Sequence, residues 1–101
     1  MERATTSGTL KHGLKIGETV HREFVIREAV MDDYFGAETE ATADRPITFR
    51  TALLARQLVR IGTFEGPFTL ALLGKLHPRD VDRMLAARDA LEREGEGEQP
   101  G

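Results

Sequence analysis

The chain contains no cysteine, so disulfides and thiolate metal sites are excluded, and the composition suits a reducing compartment. It holds a single serine, Ser7, in a small and polar leading segment. Nucleophilic catalysis needs a hydroxyl that is held and activated, and nothing near Ser7 holds one. There is no surplus of positive charge: 14 Lys and Arg stand against 17 Asp and Glu, for a net charge of −3. That balance offers no electrostatic footprint for a nucleic-acid backbone. No apolar run approaches the roughly 20 residues that span a bilayer. Residues 1–8 carry no apolar core of a secretory signal, so none is expected. The glycines form neither of the common phosphate-binding patterns, as no Gly-x-x-x-x-Gly-Lys and no Gly-x-Gly-x-x-Gly occurs.

What is present fits one small soluble domain: 101 residues, 40% hydrophobic and 31% charged. A core of that size is modest, so the stability margin is expected to be thin. Residues 1–8 are expected to be a flexible start. From Thr9 the pattern alternates, with Leu10, Leu14 and Ile16 on one face and Thr9, Lys11 and Lys15 on the other. Gly17-Glu18 supplies a turn. A second alternating run places Val20, Phe24 and Ile26 inward and His21, Glu23 and Arg27 outward. The two runs form a β-hairpin, which is marginal in water unless other elements cover its apolar face.

The remainder of the chain supplies helices. Met31, Tyr34 and Phe35 have i, i+3, i+4 spacing in a helix that begins near Ala29 and fades through 38–42. Pro46 ends a connector. The strongest helical periodicity runs from Ile47 to Ile61: Ile47, Leu54, Leu58 and Ile61 make a stripe, Arg50, Arg56, Gln57 and Arg60 take the polar positions, and Gly62 is the stop. Residues 68–73 predict a short helix ending near Gly74. His77-Pro78 opens the last helix, with Asp80 and Asp82 near its positive dipole end and Val81, Met84, Leu85 and Leu91 on its buried stripe. Asp89 and Arg93 are an i, i+4 pair. The Glu-Gly run of residues 94–101 has nothing to bury and is expected to be disordered. The expected architecture is therefore α+β: a flexible start at 1–8, a single domain at 9–93 in which a two-stranded N-terminal hairpin packs on three to four helices, and a disordered acidic tail at 94–101.

Chemistry-bearing residues are sparse. Asp32 and Asp33 are adjacent carboxylates, but neighbours on a helix diverge, and a solvated helix start is the plainer reading. His12, His21 and His77 have no zinc-site spacing, although His12 and His21 could meet across the hairpin. Arg45, Arg50, Arg56 and Arg60 suggest a basic face, and residues 68–92 resemble a helix-turn-helix in outline. A small DNA-binding regulator is thus the alternative reading, opposed by the acidic groups interleaved along the second helix. The aromatic residues Tyr34, Phe35, Phe64 and Phe68 are core by default or anchors for a partner.

The order of these pieces resembles a known family. Residues 23–38 run a strand into an arginine-glutamate step, Arg27-Glu28, and then an acidic helix with Asp32-Asp33. An apolar helix follows at 49–62. A leucine, one residue, proline, one residue, aspartate step, Leu76-His77-Pro78-Arg79-Asp80, opens the final helix. Across residues 9–92 this resembles the tail assembly chaperones of tailed bacteriophages, those of Mu-like and P2-like phages and prophages. The resemblance implies a non-enzymatic protein without cofactor or metal. It would bind the tape measure protein and keep it soluble in the host cytoplasm until tail tube subunits polymerise, and would be absent from the mature virion. It also implies a frameshifted longer form that reaches the tail tube protein, copies that self-associate, and no nucleic-acid or membrane partner. The residues proposed for partner contact are Tyr34, Phe35, Phe64, Phe68, Met84 and Leu85.

Overall fold

Two β-strands, β1 (Thr5–Ile16) and β2 (Thr19–Arg27), open the computed structural model, which describes residues 4–42 and 44–97, the side chains of 95–97 excepted. Helices α1 (Met31–Glu40) and α2 (Pro46–Gln57) follow, then a short strand β3 (Leu58–Ile61), a one-turn helix α3 (Leu70–Leu73) and the long helix α4 (Pro78–Gly97). The class is α+β. The sheet is antiparallel and has three strands in the order β1-β2-β3, so the expected two-stranded hairpin is one strand short.

The missing strand lies where a helix was expected. The helical bonds of α2 stop at Leu58, which turns to extended backbone. Phe24 then pairs with Ile61, Val25 with Arg60 and Ile26 with Leu58, and Val59 is the extra residue of a bulge. That bulge lets Leu58 and Ile61, three residues apart, both enter the core, while Val59 is left exposed. Spacing of three is the signature of a helix, and a bulged strand reproduces it. Pairing β2 on both sides makes it the central strand and leaves the short β3 as the edge.

A larger irregularity divides the hairpin. Thr9 pairs with Glu23 and Leu14 with His21, so residues 10–13 of β1 bulge out opposite Arg22 alone. Gly13 makes this turn at φ +87°, and a Cβ there would lie 2.9 Å from the His21 carbonyl. Beyond the bulge the alternation of β2 changes phase. Leu10, Leu14, Phe24 and Ile26 are buried as their spacing predicts, but His21 is buried and Val20 is exposed, opposite to expectation. Strand β1 also begins at Thr5, with Thr5 paired to Arg27, where a flexible start was expected; residues 1–3 lie outside the described residues.

The principal core joins the sheet to the helices: Leu10, Leu14, Phe24, Ile26, Leu54, Leu58, Ile61, Leu73, Met84 and Leu85 are in one cluster. A second cluster, Ala37, Ala52 and Leu53 with Tyr34, Phe49 and Leu70 around it, holds α1 against α2. The short helix α3 ends at Gly74 as expected, and the Thr69 hydroxyl accepts from the Leu72 N–H at its start (3.1 Å). Within α4, Met84 and Leu91 are buried as the stripe predicts. Helix α4 continues to Gly97, into the stretch expected to be disordered, and residues 98–101 lie outside the described residues. Ile47 departs most from its expected place: it is 81% exposed, whereas Gln57, assigned to the polar side, is fully buried.

Candidate partner-binding surface

The residues that looked most like chemistry turn out to fasten helices to the sheet. Asp33, third residue of α1, is buried and receives both arms of the Arg27 guanidinium, Nη1 to Oδ2 at 2.8 Å and Nη2 to Oδ1 at 2.9 Å. Its Oδ2 also accepts the Val30 N–H at 2.9 Å, closing an otherwise open helix end that Val30 has no side-chain oxygen to cap. The remaining Arg27 bonds reach the carbonyls of Glu28 (2.9 Å) and Arg56 (2.8 Å). The Arg27 hydrogen bonds, opposed by burial and assisted by the Val30 N–H, hold the Asp33 carboxyl below its ordinary value, and the same bonds raise Arg27. Asp32, its neighbour, points to solvent with an 85% exposed side chain. The two carboxylates do not converge.

Asp80 occupies the same place in α4, third from its start, and is fully buried. It faces the bulge of β1. Its Oδ1 accepts the Lys11 N–H (2.9 Å), and its Oδ2 accepts those of His12 (3.1 Å) and Gly13 (2.9 Å). The bulged segment has no strand opposite these N–H groups, so the carboxylate supplies the partners that the ladder cannot. Burial pushes the Asp80 carboxyl up, but the backbone bonds from Gly13, Lys11 and His12 outweigh it and hold the group below its ordinary value. The Leu76-x-Pro78-x-Asp80 step thus has a physical purpose: Leu76 enters the core, Pro78 starts the helix and Asp80 clasps the hairpin. Alongside, the His12 and His77 rings stack at 4.0 Å and 12°. His12 therefore meets His77 and not His21.

A third network ties the middle of the molecule. The buried Gln57 donates to the Arg27 carbonyl (2.9 Å) and accepts from Arg88 Nε (2.7 Å). Arg88 also donates to the Tyr34 hydroxyl (3.0 Å), and Glu92 accepts from the Ala29 N–H (2.9 Å). Asp89 meets Arg88 at 3.0 Å, in place of the expected pairing with Arg93. No buried side-chain nitrogen or oxygen among the described residues lacks a partner. Gln57 follows Arg56 at a position read as polar, so nothing in the local pattern marks this network.

Among the described residues, no group of three or more His, Cys, Asp or Glu side chains converges as metal ligands would. The expected basic face is divided. Arg60 meets Glu23 (3.2 Å), and Arg56 lies across Gly36 with Asp33 at 3.8 Å. The helix-turn-helix outline at 68–92 is not formed either, as α3 is one turn long and Asp80 of α4 is committed to β1.

What stands open is apolar. A groove of about 350 Å³ runs between α2 and α4. Ile47, Arg50 and Thr51 form its α2 wall, Val81, Asp82 and Leu85 its α4 wall, and Leu73, Gly74, Leu76 and Pro78 its end and floor. Separately, Met31 and Phe35 expose one side of α1. The six residues proposed for contact are dispersed. Phe35 is 58% exposed and available. Tyr34 is half-buried and held by Arg88. Phe64 and Phe68 pack edge-on against each other at 5.4 Å, beside the core. Met84 is fully buried, a correction that follows from its place beneath the sheet; Leu85 is nearly so but reaches the groove wall. Ile47, Arg50 and Thr51, which line the groove on one face of α2, were not among the residues proposed for contact: Ile47 was placed on the buried stripe and Arg50 on the polar side.

No curated protein and no solved structure matches the chain. The family model described as tail assembly protein gp41, of phage Mu, matches residues 10–99, which include the β1 bulge, the Arg27–Asp33 pair and the Asp80 clasp. This chain belongs to the Mu gp41 tail assembly protein family.

Proposed function

We propose that, within phage tail assembly, this protein is a chaperone that binds the tape measure protein and keeps it soluble until tube subunits polymerise. The observation that carries this reading is the apolar groove with Ile47 standing uncovered at its lip, on a domain in which, among the described residues, every buried side-chain nitrogen and oxygen already has a hydrogen-bond partner. Long amphipathic helices aggregate through their apolar faces, and a groove between two helices accepts such a face. Weak sites suffice, because many copies share one long chain and neighbours touch. On this reading the protein is not an enzyme, acts in the host cytoplasm, and reaches the tail tube protein through a longer, frameshifted form.

The test is co-expression with the tape measure protein of the same phage or prophage, sought as a long helical protein encoded nearby. The expected result is a shift of that protein from the pellet to the supernatant. An unchanged pellet, once the neighbour is verified as the tape measure protein, overturns the proposal.

A further inference from the structure

The walls of the α2–α4 groove carry information about what fills it. On α2 the lining residues Ile47, Arg50 and Thr51 lie at i, i+3 and i+4, one side of a helix. The Thr51 hydroxyl donates to the Ile47 carbonyl (2.8 Å), so this polar atom is satisfied within its own helix and the wall stays apolar. Opposite, Val81 and Leu85 share one side of α4. The apolar strip is therefore edged by one guanidinium, Arg50, and one carboxylate, Asp82, on opposite walls. Both are exposed, and neither forms an ion pair among the described residues.

An exposed apolar strip between two unpaired charges of opposite sign selects its occupant. An all-acidic or all-basic segment meets a like charge on one wall. A small apolar ligand leaves both charges unused. Resting on the chaperone reading above, we infer that this groove takes an amphipathic helix of another chain, with its apolar stripe on Ile47, Val81 and Leu85, an acidic flank toward Arg50 and a basic flank toward Asp82. Ile47, the most exposed large apolar residue among the described residues, is the principal anchor.

The probes are three labelled synthetic helices of roughly 18 residues with the same leucine stripe. The first has Glu along one flank and Lys along the other, the second Glu on both, the third Lys on both. Fluorescence anisotropy is expected to rank the mixed peptide first for the wild-type protein, by about threefold. Asp82→Arg makes both walls basic and is expected to move first place to the Glu-flanked peptide. Arg50→Glu makes both acidic and is expected to favour the Lys-flanked one. Ile47→Glu is expected to weaken all three by about tenfold, with an unchanged thermal melt. An order of preference that Asp82→Arg and Arg50→Glu leave untouched, or full binding by Ile47→Glu, overturns the assignment. So does a dimer in sedimentation velocity that Ile47→Glu dissociates, since the occupant is then a second copy. The co-expression assay separates the two claims. If wild type and Ile47→Glu solubilise the tape measure protein equally, the groove assignment falls and the chaperone reading stands. If wild type fails, the chaperone reading falls.

Discussion

Helices α1 and α4 each place an aspartate third from the start, and both aspartates are buried, yet they are neutralised in different ways. Asp33 is held by a guanidinium in a bidentate ion pair, with a second arginine 3.8 Å away. Asp80 has backbone N–H groups as its hydrogen-bond donors. The α1 start is thus a contact between side chains that partly substitute for one another. The α4 start is a contact in which one side chain satisfies a whole strand irregularity. Losing Asp80 leaves three partly buried backbone donors with no other protein acceptor, whereas losing Arg27 leaves Asp33 with Arg56 and the Val30 N–H.

That difference ranks the consequences of breaking each. Asp80→Ala strands three N–H groups in the bulge, each unmade bond costing about 1–3 kcal/mol, so a loss of about 3 kcal/mol or more is expected in urea unfolding. A domain of this size has only about 5–15 kcal/mol to lose, so this variant should be the most damaged. Arg27→Ala should cost about 2 kcal/mol, reduced by the partial exposure of Arg27 and by the nearby Arg56. A double-mutant cycle between positions 27 and 33 measures the coupling. An Arg27→Ala loss greater than that of Asp80→Ala would reverse the ranking.

Acid compares the two ends within one protein. Both carboxyls lie below the ordinary value of 3.8 when folded. The unfolded chain therefore binds more protons, and stability falls as pH is lowered from about 4 through the folded values. Asp80→Asn and Asp33→Asn should each flatten this fall, which unfolding curves between about pH 5 and pH 2.5 will show. A slope unchanged in both would mean that neither carboxylate carries the acid sensitivity. The smallest effect is expected at the groove: Ile47→Glu removes nothing that is buried, and its unfolding free energy should stay within about 0.5 kcal/mol of wild type. A larger loss would mean that Ile47 supports the fold and is not held ready for a partner.

Much of this architecture is legible in the residues. The hairpin, the short α3 with its Gly74 end and the stripe of α4 follow from periodicity and helix-end chemistry. The motifs behind the family resemblance were visible as well, but their purpose was not. Arg27-Glu28 and Asp33 looked like a surface charge pattern because their bidentate contact joins a strand end to the following helix. Asp80 looked like a dipole residue because its partners lie in β1, 67–69 positions away. β3 was hidden by its bulge, since Leu58 and Ile61 keep a helical spacing while lying in a strand. Of the residues proposed for contact, Phe35 is exposed, whereas Met84 lies in the core, as its place on the α4 stripe implies; an apolar stripe does not by itself show whether it meets the core or a partner.

The sequence by itself determined the class and order of most elements, the lack of any thiol chemistry and the likeness to a tail assembly family. These depend on local periodicity, on turn and cap residues and on composition, all of which act over a few positions of chain. Only the tertiary structure decided that α2 gives way to a third strand, that two acidic helix starts clasp the hairpin, and that Ile47 faces outward while Gln57 is buried. Those outcomes depend on which surfaces meet across long separations. A backbone N–H left unpaired in one strand is satisfied by a carboxylate far along the chain, and an apolar side chain stays exposed when no other part of the chain packs over it.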